Sequence, residues 1–171
     1  GEFADSSMER LSQLHDFCVE NYNKGASKQD YAEKLFESQI NGIIKSTTAF
    51  MEEAMFRSAL QIGYFEMQRA MRQYLKLCKN SPNKKLINKA IEFQLLMLAP
   101  FTPFICEEIW SRIGKKGFIS VSEWPKYDES KIDKKTMYME EVIENTRKDI
   151  YAILKLSKIE KPKKVKLFIS E

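Results

Sequence analysis

The sequence predicts an all-α protein, a helical bundle followed by one short C-terminal strand, and three observations carry that expectation. Apolar residues recur every three or four positions along most of the chain, the spacing that gives a helix one buried face. Only 6 glycines and 5 prolines interrupt 171 residues, so long helices with few turns are favoured. Strand-like alternation appears once, at the far end, where Val165, Leu167 and Ile169 are interleaved with Lys166, Phe168 and Ser170.

Each element has its own signals. Ser6 and Glu9 have capping-box spacing, and Leu11, Leu14, Cys18 and Tyr22 follow at helical intervals until Gly25 offers a stop. Ser27 with Asp30 opens a second helix, whose stripe runs through Phe36, Ile40, Ile43, Ile44, Thr47, Phe50, Met51 and Ala54. A break near 54–56 precedes a third helix that reaches Cys78 and ends in "KNSPN", with Ser81 as cap and Pro82 in the next first turn. The fourth helix carries Leu86, Ile87, Ala90, Ile91, Leu95 and Leu98. Pro100 lacks an amide hydrogen and ends it; Thr102 then caps a new helix whose first residue is Pro103. Phe101, Phe104, Ile105, Ile109 and Trp110 make this corner architectural, with Glu107 and Glu108 early in the new helix. Trp124-Pro125 pins the link 114–130 against the bundle, and Asp133 caps a last helix with Met139, Val142, Ile143, Thr146, Ile150 and Ile153 on one side.

Composition excludes several classes of function. Hydrophobic residues at 43% and charged residues at 30% describe a folded globular chain, with no run approaching the ~20 apolar residues of a membrane span. Cys18, Cys78 and Cys106 are odd in number and far apart, as free thiols in a reducing cytoplasm would be. Adjacent carboxylates such as Glu52–Glu53 or Glu140–Glu141 point apart on a helix, and the single His15 reads as a surface or boundary residue. No catalytic residues, metal ligands or cofactor are expected in this chain.

Charge points instead to binding. The net charge of +4 hides a balance of −5 over residues 1–53, +7 over 54–89 and +2 over the rest. Within the basic stretch, Leu60, Tyr64, Met67, Met71, Leu75 and Cys78 share one side of a helix. Arg69, Arg72, Lys76 and Lys79 lie nearly opposite, within an arc of about 80° and along roughly 15 Å of axis. Lys84, Lys85 and Lys89 continue the charge beyond the turn. These cations suit phosphate oxygens, though an ordinary solvated face has the same composition. Tyr64 or Tyr74 offers a ring for base stacking, with core packing as the plainer role for both.

"LLMLAPFTPFICEEIW" at residues 95–110, followed by "GFISVSEWP" at 117–125, resembles the anticodon-binding helical domain of class I aminoacyl-tRNA synthetases. Within that family the spacing, and the cysteine at 106, are most similar to the leucyl branch of the archaeal type, with the isoleucyl and valyl branches next. "RSALQIGYFEMQRAMRQYL" at 57–75 resembles the long helix that precedes the motif, and the likeness extends in order of elements over about 28–160. Phe104 departs from the family, which commonly has histidine there. With the capped helix over 1–27 read from its own spacing, the resemblance implies a tRNA-binding bundle over 28–160, and over 161–171 a linker with the first strand of a following domain. It also implies that the chain is a piece of a longer ligase that uses ATP to join leucine to its tRNA. The family's two ATP-handling signatures are missing from this sequence, so the piece is expected to bind leucine tRNA and the remaining domains of its parent without catalysing anything. The other reading is a helical scaffold or protein-interaction module that makes no RNA contact.

Overall fold

The computed structural model describes residues 2–27, 30–158, 162 and 164–167, with side chains from residue 7 onward. Helix α1 (Glu2–Asn21) begins a turn ahead of the Ser6–Glu9 pair, which therefore sits inside the helix and does not cap it. Extending a helix by a residue adds a hydrogen bond at little cost, and nothing in residues 2–5 opposes it. Glu9 accepts instead from Gln13 Nε2 at 3.2 Å. The second cap falls on Asp30 rather than Ser27: its carboxylate accepts from Ala32 N at 2.9 Å, while Glu33 at the third helical position accepts from Asp30 N at 3.0 Å. Helix α2 (Tyr31–Glu52) ends where expected, with Ala54 in the left-handed region at φ 56°.

The third helix is a composite. Helix α3 (Phe56–Leu60) runs without a cap into a π turn (Gln61–Glu66) and on into α4 (Met67–Leu77). At Gly63 the helix passes close to α2; a Cβ there would lie 3.3 Å from Thr47 Cγ2. Helix α5 (Lys84–Leu98) is capped by Asn83, whose Oδ1 accepts from Leu86 N at 3.1 Å, and not by Ser81. Asn83 is held in place because its own N–H donates to Tyr74 Oη at 2.7 Å, a partner from another helix that sequence spacing cannot show.

The proline corner forms as expected except in two details: Thr102 does not cap through its hydroxyl, and Phe104, expected in the packing, is 90% exposed. Helix α5 stops at Leu98, Phe101 N and Thr102 N both donate to Leu98 O at 2.9 and 3.0 Å, and α6 (Pro103–Arg112) starts on Pro103. Thr102 occupies the cap position, yet its hydroxyl makes no cap bond. It lies 3.4 Å from Leu98 O and 3.6 Å from Cys106 Sγ. The hydroxyl thus turns back to Leu98 O, which the two backbone N–H groups already reach, and leaves the start of α6 uncapped by a side chain.

Leu14 and Cys18 of α1, Phe36 and Ile44 of α2, Met67, Met71 and Tyr74 of α4, Ile87, Ile91 and Leu95 of α5, and Cys106 and Ile109 of α6 form one core in the unit Gly1–Asp133. Trp110 is buried against it, with Lys115 Nζ 5.1 Å from its ring centroid.

After α6 the chain returns along α2 as an irregular strap. Trp124 Nε1 donates to Thr48 Oγ1 at 2.8 Å, Glu129 pairs with Lys45 at 2.6 Å, Asp128 N donates to Asn41 Oδ1 at 2.7 Å, and Asp133 N donates to Ser38 Oγ at 2.8 Å. Ser38, Asn41, Lys45 and Thr48 lie at i, i+3, i+7 and i+10, a polar row on one face of α2 that receives the strap. At its start, Glu107 accepts from Ile119 N at 2.9 Å and Ser120 N at 3.0 Å and so closes the "GFIS" turn.

The strap carries a testable pH dependence. Partial burial pushes the Glu107 carboxyl up, but the bonds from Ile119 and Ser120 outweigh it and hold the group below its ordinary value. Asp128 is likewise held low, by Ser130 first. A carboxyl held low in the folded state stabilises it above the ordinary carboxylate range, and the stabilisation disappears as pH falls through the lowered value. The urea midpoint should therefore drop between about pH 5 and pH 3, and drop less in Glu107→Gln; equal drops in both proteins would remove Glu107 from this role.

The second unit, Lys134–Glu171, contains α7 (Lys134–Leu156). Met139, Val142, Ile143 and Ile153 of its apolar stripe are exposed. The strand expected at Val165, Leu167 and Ile169 is not formed among the described residues: 164–167 have no regular structure, and Ile169 lies outside them.

Candidate nucleic-acid interface

Helix α4 places Met67 and Met71 fully in the core, and the residues expected on its far side are exposed. Arg72 and Lys76 stand there without an ion-pair partner among the described residues. Arg69 is exposed too, but its guanidinium is 2.6 Å from Glu66, one turn earlier. Lys79 leaves the row. The helix ends at Leu77, and Lys79 and Asn80 both take left-handed backbone at φ 53° and 58°, so four cations on one helical line become three. Asn80 N closes the turn by donating to Leu75 O at 2.8 Å. Lys84 and Lys85 are exposed in the first turn of α5, the end at which backbone N–H groups already favour an anion. Lys89 is also exposed, its Nζ 5.3 Å from the Phe93 ring centroid.

The two tyrosines do not offer their rings. Tyr74 is 1% exposed, stacked on Phe36 at 4.3 Å, and donates to buried Glu33 at 2.7 Å. Tyr64 is half-buried, and its hydroxyl donates to Arg10 O at 3.2 Å. Burial lifts that hydroxyl above its ordinary value against the pull of Arg10 and Arg72, both near enough to act on it. Next to Tyr64, the Phe65 ring is exposed, 38% accessible, with the Arg10 guanidinium 5.5 Å from its centroid and Tyr64 edge-on at 4.8 Å. Sequence spacing held one signal for it: Phe65 falls well off the Met67–Met71 stripe, where a helix surface rarely spends a phenylalanine. Arg10 had none, since only the packing of α1 brings it there.

Nothing here is built for bond-making. Burial pushes the Cys18 thiol up to about 12 and the Cys106 thiol up to about 11, so neither is a nucleophile near neutrality. His15 is a boundary residue with Nδ1 3.1 Å from Asp16. No group of metal-ligating side chains occurs among the described residues, and none of their helices is long and apolar enough to cross a membrane.

The described residues thus form a helical bundle with a proline corner and an exposed cationic helix. The chain belongs to the family of anticodon-binding domains of tRNA ligases, whose model matches residues 33–167. It is 38% identical over 154 residues to the leucine–tRNA ligase of Aeropyrum pernix, covering 90% of this chain and 16% of that protein. The leucine–tRNA ligase of Pyrococcus horikoshii is 28% identical over 167 residues, 96% of this chain and 17% of that one. The cytoplasmic leucine–tRNA ligase of Pongo abelii is 38% identical over 95 residues, 56% of this chain and 8% of its own length. The chain thus spans less than a fifth of the relatives it matches. In fold it is similar to the LeuRS of Agrobacterium radiobacter K84, solved in ternary complex with tRNA and LeuAMS, with a TM-score of 0.59 and 18% identity over 75% of this chain and 16% of that one.

Proposed function

We propose that this chain is the tRNA-gripping part of a leucine–tRNA ligase, which works in the cytoplasm and uses ATP in a catalytic part outside these residues. The observation that carries the reading is the match of 90% of the chain to a leucine–tRNA ligase. The cationic face of α4 supports the RNA contact: Arg72 and Lys76 are exposed on the side away from the core and make no ion pair among the described residues. Arg69, Lys84 and Lys85 widen that face, and Lys79 extends it from the turn. Such groups meet phosphate oxygens, which fix the register of an RNA without reading its bases. The chain would in this way hold leucine tRNA so that its 3′ end reaches the distant catalytic part.

Binding of the chain to leucine tRNA across a salt series, with isoleucine and valine tRNAs as competitors, tests this. Salt-dependent binding that prefers leucine tRNA is expected. Equal binding of all three would remove the leucine assignment and leave the cationic grip. No binding at low salt, from a folded sample, would overturn the reading in favour of a scaffold without RNA contact.

A further inference from the structure

We propose that the Phe65–Arg10 pair is a stacking platform for one unpaired base of the bound RNA, with Arg72 beside it for a neighbouring phosphate. The inference rests on the tRNA reading above and adds a base contact to a surface otherwise described by its charge.

Three observations converge on the pair. Phe65 is accessible, as Phe56 of α3 is, and it alone of the two lies within the π turn, an irregularity frequently found at functional sites. The turn is held by a buried amide pair. Gln94 Nε2 donates to Tyr64 O at 3.1 Å and reaches Gly63 O at 3.5 Å, while Gln94 Oε1 accepts from Gln68 Nε2 at 2.7 Å. Gln94 is fully buried and Gln68 is 7% exposed. Two polar side chains in a core are costly unless satisfied, and here Gln68 satisfies Gln94 while Gln94 reaches two carbonyls of the turn. The third observation is the company of the ring. Tyr64 props it edge-on, limiting the freedom lost on binding, and Arg10 lays a guanidinium at its face.

An exposed phenylalanine among arginines fits a nucleobase better than an apolar partner. Bases stack on aromatic rings and on guanidinium planes alike, so ring and guanidinium together make a two-layer support. The strand that supplies the base also carries phosphates, and Arg72, unpaired and close to Tyr64, is placed for one of them. An apolar protein partner would have to strip water from these cations without compensation.

Titration of leucine tRNA into the chain, its Phe65→Ala, Phe65→Trp and Arg72→Glu variants, over a salt series, tests the platform. Phe65→Ala is expected to weaken binding by about 5- to 100-fold with an unchanged salt slope, since stacking releases no counterions. Phe65→Trp should bind as the parent does and show indole quenching beyond that of the parent's own Trp110 and Trp124. Parent-like affinity in Phe65→Ala, alongside lost affinity in Arg72→Glu, would overturn the platform and leave the tRNA reading standing. Failure of the folded parent to bind would overturn both.

Discussion

Gly25→Ala is expected to destabilise the chain by about 3 kcal/mol, a fall in Tm of about 6–12 °C for a protein of this size. Gly25 has φ +97°, and a Cβ built on it would lie 1.9 Å from the backbone oxygen of Pro82. That oxygen cannot move alone. It accepts from Ala26 N at 3.0 Å, and Lys84 N donates back to Ala26 O at 2.9 Å, so the two segments form a short parallel bridge. Relieving the clash means opening the bridge that fixes the start of α5 against the end of α1. Gly114→Ala is the control: φ is +82° there, but nothing lies within 4 Å, so only the backbone conformation costs, about 1–2 kcal/mol. Urea denaturation of both variants decides it. Equal losses would mean that the loop shifts aside and the bridge carries no weight.

Arg72→Glu combined with Lys76→Glu should leave folding almost untouched and remove most RNA affinity. Both side chains are exposed opposite Met67 and Met71, and surface changes of this kind usually stay within about 0.5 kcal/mol. Replacing two phosphate contacts by two repulsions should weaken leucine tRNA binding on the order of 100-fold at moderate salt, and lower the salt slope by about 2. Arg69→Glu alone should do less, because Arg69 already spends part of its charge on Glu66. A large loss of thermal stability in the double variant would make these residues structural and remove them from the interface.

Much of the architecture was legible because it depends on neighbours a few residues apart. The turn at Pro100 and Pro103 and the buried stripe of α4 at Met67, Met71 and Leu75 are legible because a missing N–H and a 3.6-residue period act within one helix, whereas the exposure of Phe104 is not. Caps are less legible. The true caps are Asp30 and Asn83, a few residues from Ser27 and Ser81, and Asn83 is chosen by Tyr74 from across the core. The cationic face was legible except at Lys79, where the end of α4 turns the chain out of line.

The sequence by itself determined that this protein is a helical bundle with a polarised charge and a fixed corner, since these follow from periodicity, residue inventory and proline chemistry. Only the tertiary structure decided which aromatic is offered to solvent, which arginine is free, and what the strap holds on to. Tyr74 disappears into the core through Phe36 and Glu33, Phe65 emerges through a π turn that Gln94 supports, and Glu107 serves a turn twelve residues away. Each of these outcomes is a contact between segments far apart in the chain, and such contacts exist only after the helices have packed.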